Sequence, residues 1–148
     1  MHVALVEPEI PQNTGSVARL CAATETPLHL VGKLGFSLED RYLKRAGLDY
    51  WPFVDLSVHA DWASFRATRN SRLLAFSTHG KSSYTKISFQ EDDILVFGSE
   101  SQGLGPQLRQ ELAPLHRIPI AGSGVRSLNL ANAVSIVVYE GLRQLGRV

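Results

Sequence analysis

An α/β fold, with a mainly parallel sheet and helices on both faces, is what the sequence predicts, and three observations carry it. Apolar runs of strand length alternate with segments of helical spacing along the whole chain. Three of those runs, ending at Phe76, Phe97 and Ile120, lead straight into polar, glycine-bearing loops. Loops at strand ends are where an open α/β sheet binds ligands. Finally, 148 residues with 44% hydrophobic and 20% charged side chains suit one well-filled core. Residues 1–148 are therefore expected as a single domain.

The totals also exclude classes. A net charge of +1 gives no global attraction for nucleic acid, so any RNA surface must be a local patch or one assembled by dimerisation. Cys21 is the only cysteine, which excludes an internal disulfide and any cysteine-cluster metal site. The histidines are scattered and propose no metal site. Met1 leads directly into His2-Val-Ala-Leu-Val6 with no basic leader. No run reaches the roughly 18 apolar residues of a membrane span. The cytoplasm, without membrane attachment, is the expected location.

Val3 to Val6 is expected as a buried strand. Glu7 to Thr14 follows as a loop, since its two prolines deny it a ladder. A helix from about Thr14 to Thr24 then takes Asn13 or Thr14 as N-cap. Val17, Leu20, Cys21 and Thr24 share one face. Arg19 lies off it, and the residues three and four positions away are Gly15, Ser16, Ala22 and Ala23. A long cation on so bare a patch suits close packing by another backbone, subunit or ligand; a solvated surface arginine fits as well. Leu28 to Val31 is a second strand, ending at Gly32. Leu38 to Gly47 reads as a short helix closed by glycine. Arg41, Lys44 and Arg45 share a face of it, with Tyr50 and Trp51 just beyond. Basic residues beside exposed aromatics suit phosphates and unstacked bases. A solvated helix beside core aromatics is equally consistent.

Ala60 to Thr68 is expected as a helix, Arg72 to Ser77 as a strand, and Thr78 to Ser83 as a polar loop in which His79 has no visible partner. Ile94 to Phe97 is a buried strand. Gly98, Gly103 and Gly105 end it, and Pro106 opens a helix to Leu112. Glycines there leave main-chain groups unscreened, so a ligand can approach closely; Glu100 is the one charge in that loop. Arg117 to Ile120 is a short strand, and Ala121 to Val125 a second glycine-rich loop. Ser127 to about Leu145 reads as a helix, uncharged between Arg126 and Glu140 and so buried nearly all round. Asn129, Asn132, Ser135 and Tyr139 fall within one arc of it, together with Ile136. Their polar groups need partners in loop backbone or a ligand, at about 1–3 kcal/mol each if unmade. If the strands ending at Phe76, Phe97 and Ile120 are neighbours, their loops form one site. It has no G-x-G-x-x-G, P-loop lysine, nucleophile elbow or metal-ligand spacing. Such a pocket suits a neutral or cationic organic cofactor better than a polyphosphate.

Three segments in order resemble the three motifs of SPOUT-class RNA 2′-O-ribose methyltransferases. They are Pro8-Glu-Ile-Pro-Gln-Asn-Thr-Gly15 with Arg19, Phe97-Gly-Ser-Glu-Ser-Gln-Gly-Leu104, and Ile118-Pro-Ile120 with Arg126-Ser-Leu-Asn-Leu-Ala-Asn-Ala-Val134. Lys44-Arg-Ala-Gly-Leu-Asp-Tyr50, with no appended RNA-binding domain, resembles the minimal branch, which methylates the wobble nucleotide (cytidine or cmnm5-uridine) of leucine tRNAs. The resemblance implies a deep C-terminal trefoil knot, although knots are otherwise essentially absent. It implies S-adenosyl-L-methionine as cofactor, with S-adenosyl-L-homocysteine as product and no metal, held by Phe76, Gly98, Gly103, Ile118, Ser127 and Leu128. It implies a homodimer joined through the first and last helices, with Arg19 facing the partner's cofactor. It assigns catalytic positions to Asn13, Arg19, Glu100, Ser127 and Asn129, and tRNA contacts to Arg19, Arg41, Lys44 and Arg45. In that scheme Arg19 steadies a phosphate and the developing alkoxide, and Glu100 is the rival base. The alternatives are a methyltransferase for another tRNA or rRNA position and an RNA-binding protein without turnover.

Overall fold

The computed structural model describes residues 1–39, 41–47 and 50–148; the side chains of residues 44, 46 and 47 lie outside that description, and the expected phosphate contact Lys44 is one of them. The elements are β1 (His2–Val6), α1 (Pro11–Ala23), β2 (Leu28–Val31), α2 (Arg41–Gly47), β3 (Leu56–His59), α3 (Trp62–Ala67), β4 (Leu73–Phe76), β5 (Ser82–Ser83), β6 (Ile94–Phe97), α4 (Pro106–Glu111), β7 (His116–Arg117) and α5 (Leu130–Gln144). The seven strands form one sheet in the order β3-β2-β1-β6-β4-β7-β5, and every recorded pairing is parallel.

Burial on both faces explains the unbroken apolar runs, as it does in parallel sheets generally. β2 and β6 are buried at every position. Alternate residues feed opposite layers. Val3, Leu5, Leu95 and Phe97 join Val17, Cys21, Val134 and Val138 under α1 and α5. Ala4, Val6, Ile94 and Val96 join Phe65, Leu104 and Leu112 under α3 and α4. At the amino ends of β4 and β6, Arg72 Nε and Nη2 donate to the buried Asp93 carboxylate over 2.7 and 2.6 Å.

Several boundaries differ from the expectation. α1 begins at Pro11, so Asn13 and Thr14 sit inside its first turn instead of capping it, and Ile10 has no side-chain cap bond. Proline brings the right φ and lacks a donor that would be orphaned there anyway. α5 begins at Leu130, leaving Ser127 and Leu128 outside it. Asn129 is its N-cap, accepting from the N–H groups of Ala131 and Asn132. Nor is α5 buried all round: Asn132 and Tyr139 are exposed. β7 is only His116–Arg117, because Pro119 has no N–H to offer a ladder. The half-exposed edge strand β3 has no long apolar run and was not expected.

The histidines are not scattered either. His2, His29 and His59, on β1, β2 and β3, form a hydrogen-bonded row. His2 Nδ1 lies 3.1 Å from His29 Nε2, and His29 Nδ1 lies 3.2 Å from His59 Nε2. Phe65 packs against the rings of His29 and His59. Each bond needs one N–H and one lone pair, which three neutral rings can supply. Burial pushes His29 down to about 4, helped by Arg69, His2 and His59; burial also lowers His2 and His59. The unfolded chain therefore binds a proton on His29 at a pH where the folded chain does not. Stability from this group is full above the unfolded value near 6.5 and falls as pH drops toward 4, by about 3 kcal/mol in all. We expect urea midpoints to fall between pH 7 and pH 5, and His29→Leu to flatten that slope. An unchanged slope in the variant would contradict this account.

Candidate active site

β6, β4 and β7 are adjacent: Phe97 and Phe76 pair at the carboxyl ends of β6 and β4, and Phe76 is also in register with His116, the first residue of the two-residue β7. The segments that follow these strands therefore converge. Together with the start of α1 they enclose a cleft of about 500 Å³, a size typical of small-molecule sites. The rings of Phe76 and Phe97 stack there with centroids 5.0 Å apart. Phe76, Gly98, Gly103, Ile118, Ser127 and Leu128 all line the cleft, as do Asn13, Glu100 and Asn129. Arg19, Arg41 and Arg45 do not.

The glycines act differently from the expectation. A Cβ on Gly98 would lie 2.0 Å from the carbonyl carbon of Gly103, so the space beside it is filled by the returning loop and not kept for a ligand. Ser99 and Gly103 close that loop with paired backbone bonds of 3.2 and 2.9 Å. Gly103 has φ +62, which favours glycine, and nothing stands within 4 Å of its would-be Cβ.

Glu100 anchors the start of α1. Its carboxylate accepts from the N–H groups of Glu9 and Ile10 over 2.7 and 3.1 Å and from Asn13 Nδ2 over 3.1 Å. An anion is favoured at a helix N-terminus by the backbone dipoles. Glu9 returns the clasp by accepting from Ser101 N and Oγ over 2.9 and 2.7 Å. Asn13 Oδ1 in turn accepts from Asn129 Nδ2 over 2.8 Å, while Asn129 Oδ1 caps α5. Three side chains thus lock the β6 loop, α1 and α5 together. Sequence reasoning missed Glu9. The available signal was an uncapped, proline-opened helix that needs an anion from elsewhere. It also missed His79, which lines the cleft with Arg109 Nη1 3.0 Å from both ring nitrogens.

Outside the cleft, Arg19 Nη2 donates to Tyr50 Oη over 3.0 Å, and its guanidinium lies 4.4 Å from that ring's centroid. On α2, Arg41 does the same with Tyr42, at 2.9 and 4.8 Å, and Arg45 is exposed. Trp51 packs against the core instead of standing exposed.

The lining fits an organic ligand with an aromatic part. The cleft offers stacked phenyl rings, glycine backbone, the hydroxyls of Ser77, Ser99 and Ser127 and the side chain of Arg126, and its single carboxylate is already held. Among the described residues no group suited to a metal ion occurs.

Fold and cleft together are those of a methyltransferase: residues 1–139 match the SpoU rRNA Methylase family, and the chain belongs to it. More particularly, it is 47% identical over 145 residues to a tRNA (cytidine(34)-2′-O)-methyltransferase of Methylovorus glucosotrophus, covering 96% of this chain and 94% of that one. It is 44% identical over 149 residues to the protein of that name from Escherichia coli K12, covering 99% and 94%. A solved structure described as giving insights into the 2-OH methylation of C/U34 on tRNA matches with TM-score 0.94 at 50% identity, over 98% of this chain and 95% of that one. An AdoMet-bound rRNA methyltransferase from Sinorhizobium meliloti matches with TM-score 0.86 at 28% identity, over 97% and 56%.

Two measurements test the local argument. Gly98→Ala must push the loop open and should cost about 1–3 kcal/mol in denaturant unfolding, whereas Gly122→Ala, with nothing within 4 Å, should stay within about 0.5 kcal/mol. Glu100→Gln turns an amide against backbone donors and should cost about 1–3 kcal/mol; an unaltered unfolding midpoint would refute the anchoring role.

Proposed function

We propose that this chain transfers the methyl group of S-adenosyl-L-methionine to the ribose 2′-oxygen of nucleotide 34 of tRNA, and that its substrates are leucine tRNAs with cytidine or cmnm5-uridine at that position. The observation that carries the reading is the convergence of three strand-end loops on one cleft that offers stacked aromatic rings and main-chain groups to an organic ligand. The names of relatives that match almost end to end supply the acceptor. The cytoplasm is the expected place for such a substrate.

The bound cofactor supplies an electrophilic methyl group on a sulfonium; the protein must place and activate the acceptor hydroxyl. An arginine keeps its proton under all ordinary conditions. Arg19 therefore acts as a donor, steadying the phosphate beside the ribose and the oxygen as it gains negative charge. Glu100 is spent on three N–H groups, so we assign it, with Asn13 and Asn129, to holding the loops in place; the proton of the 2′-hydroxyl passes to the neighbouring phosphate or to solvent as the oxygen takes the methyl group and the sulfonium leaves as a neutral thioether. Ser127 shapes the ribose side of the cleft. Arg41, Lys44 and Arg45 on α2 meet the tRNA backbone, where charge contributes affinity without reading sequence.

Arg19 does not line the cleft of its own chain, which supports a homodimer in which it serves the partner's. α5 adds weight: it carries no charge before Glu140 yet exposes Asn132 and Tyr139, and it packs beside α1. Loss of charge is the compositional mark of an interface core. The trefoil knot belongs to the same proposal.

Incubation with labelled methyl donor and total tRNA, followed by nucleoside mapping, should find 2′-O-methyl at position 34 of leucine tRNAs. Label in ribosomal RNA or at another position would refute the assignment. Arg19→Ala should fold and bind cofactor but lose roughly 10²-fold or more in kcat, by analogy with removal of one transition-state donor. Near-normal turnover would take Arg19 out of the mechanism.

A further inference from the structure

Arg19 is the only charged residue of α1, and its own helix offers it no support. Gly15, Ser16, Ala22 and Ala23 are too short to pack along its stem, and no carboxylate among the described residues lies within ion-pair distance. An unsupported arginine samples many rotamers and must lose that freedom each time it meets a transition state.

Tyr50 removes much of that freedom in advance. It gives Arg19 a ring face 4.4 Å from the guanidinium and a phenol oxygen that accepts from Nη2 over 3.0 Å. The ring covers one side of the guanidinium and the hydrogen bond ties its Nη2, so fewer orientations remain open to it. Tyr50 is itself anchored. Its carbonyl accepts from Phe53 N over 2.9 Å, Val54 N donates to Trp51 O over 3.1 Å, and Trp51 and Val54 pack against the core. The remaining N–H groups of Arg19 donate to none of the described residues, so they are available to an incoming anion.

We infer that Tyr50 is a positioning residue for methyl transfer: it holds the Arg19 guanidinium in one orientation, so that the donors not spent on the phenol meet the acceptor nucleotide already aligned. This rests on the role proposed above for Arg19. Alignment made before binding lowers the ordering cost at the reacting centre. A planar guanidinium exploits it as a lysine ammonium cannot.

Tyr50→Phe keeps the stack and removes the hydrogen bond. With wild-type tRNA, its kcat should fall roughly three- to tenfold, the usual worth of one such bond, while KM for S-adenosyl-L-methionine and the unfolding midpoint stay put. Tyr50→Leu, which removes both contacts, should fall further. In an Arg19→Lys background, Tyr50→Phe should add no further loss. A wild-type kcat in Tyr50→Phe, or an equal loss in the Arg19→Lys background, overturns the inference. A second readout does not depend on turnover. The Arg19 Nε–H resonance, assigned by its absence in Arg19→Lys, should be displaced by the ring current and return to an unshielded position in Tyr50→Leu. A resonance indifferent to that change overturns the inference, whereas a displaced resonance in a protein inert toward tRNA would sink only the functional reading.

Discussion

The carboxylate of Glu100, gripped at the start of α1, is the contact on which the rest of the site depends. It joins residues about ninety positions apart, and it does so where a proline-opened helix has no cap of its own. Charge-assisted bonds from backbone N–H groups are about twice as strong as neutral ones, and Glu100 collects two of them along with the Asn13 amide. Asn13 passes the constraint on to Asn129, which is both its partner and the cap of α5. Loosening any member would free a wall of the cleft. Two of the sequence motifs thus meet a third through side-chain hydrogen bonds, without any shared strand.

The sheet beneath was largely legible because its physics is local. Ile94-Leu-Val-Phe97 and Leu28-His-Leu-Val31 are apolar throughout, which only burial on both faces explains, and both strands fall where expected. The convergence of loops after Phe76 and Phe97 followed once the strands were supposed adjacent. What escaped was set at long range. Asn13 looked like a cap because nothing near it in sequence announced that Glu100 would take that task. Gly98 lines the cleft as expected, but its second task, making room for the return of Gly103, could not be seen. His2, His29 and His59 looked unrelated because parallel pairing, not spacing, brings them into one row.

Charge is spent sparingly and locally. A chain of net charge +1 cannot draw in RNA by its overall field, and on α2 Arg41 lies beside Tyr42, outside the cleft. Each of the two arginines seen on α1 and α2 with a tyrosine face keeps its charge in water and its plane defined. That is a compact way to present a cation to phosphate without a carboxylate neutralising it.

Methyl transfer makes two opposed demands on such a molecule. The donor must be held rigidly, since an in-line displacement loses rate quickly when reacting atoms are misplaced by about 1 Å. The acceptor is a large RNA whose backbone must be caught and then adjusted. In the proposed reading the cleft answers the first demand, its loops locked by Glu100, Asn13 and Asn129 and its floor made by Phe76 and Phe97. Arg19, out on a bare helix face and steadied by one aromatic ring, suits the second. Placing these two parts on different surfaces of one chain means that neither has to compromise for the other. It also means that a single copy presents its cleft and its cation apart, and the homodimer proposed above is the arrangement that would bring them together.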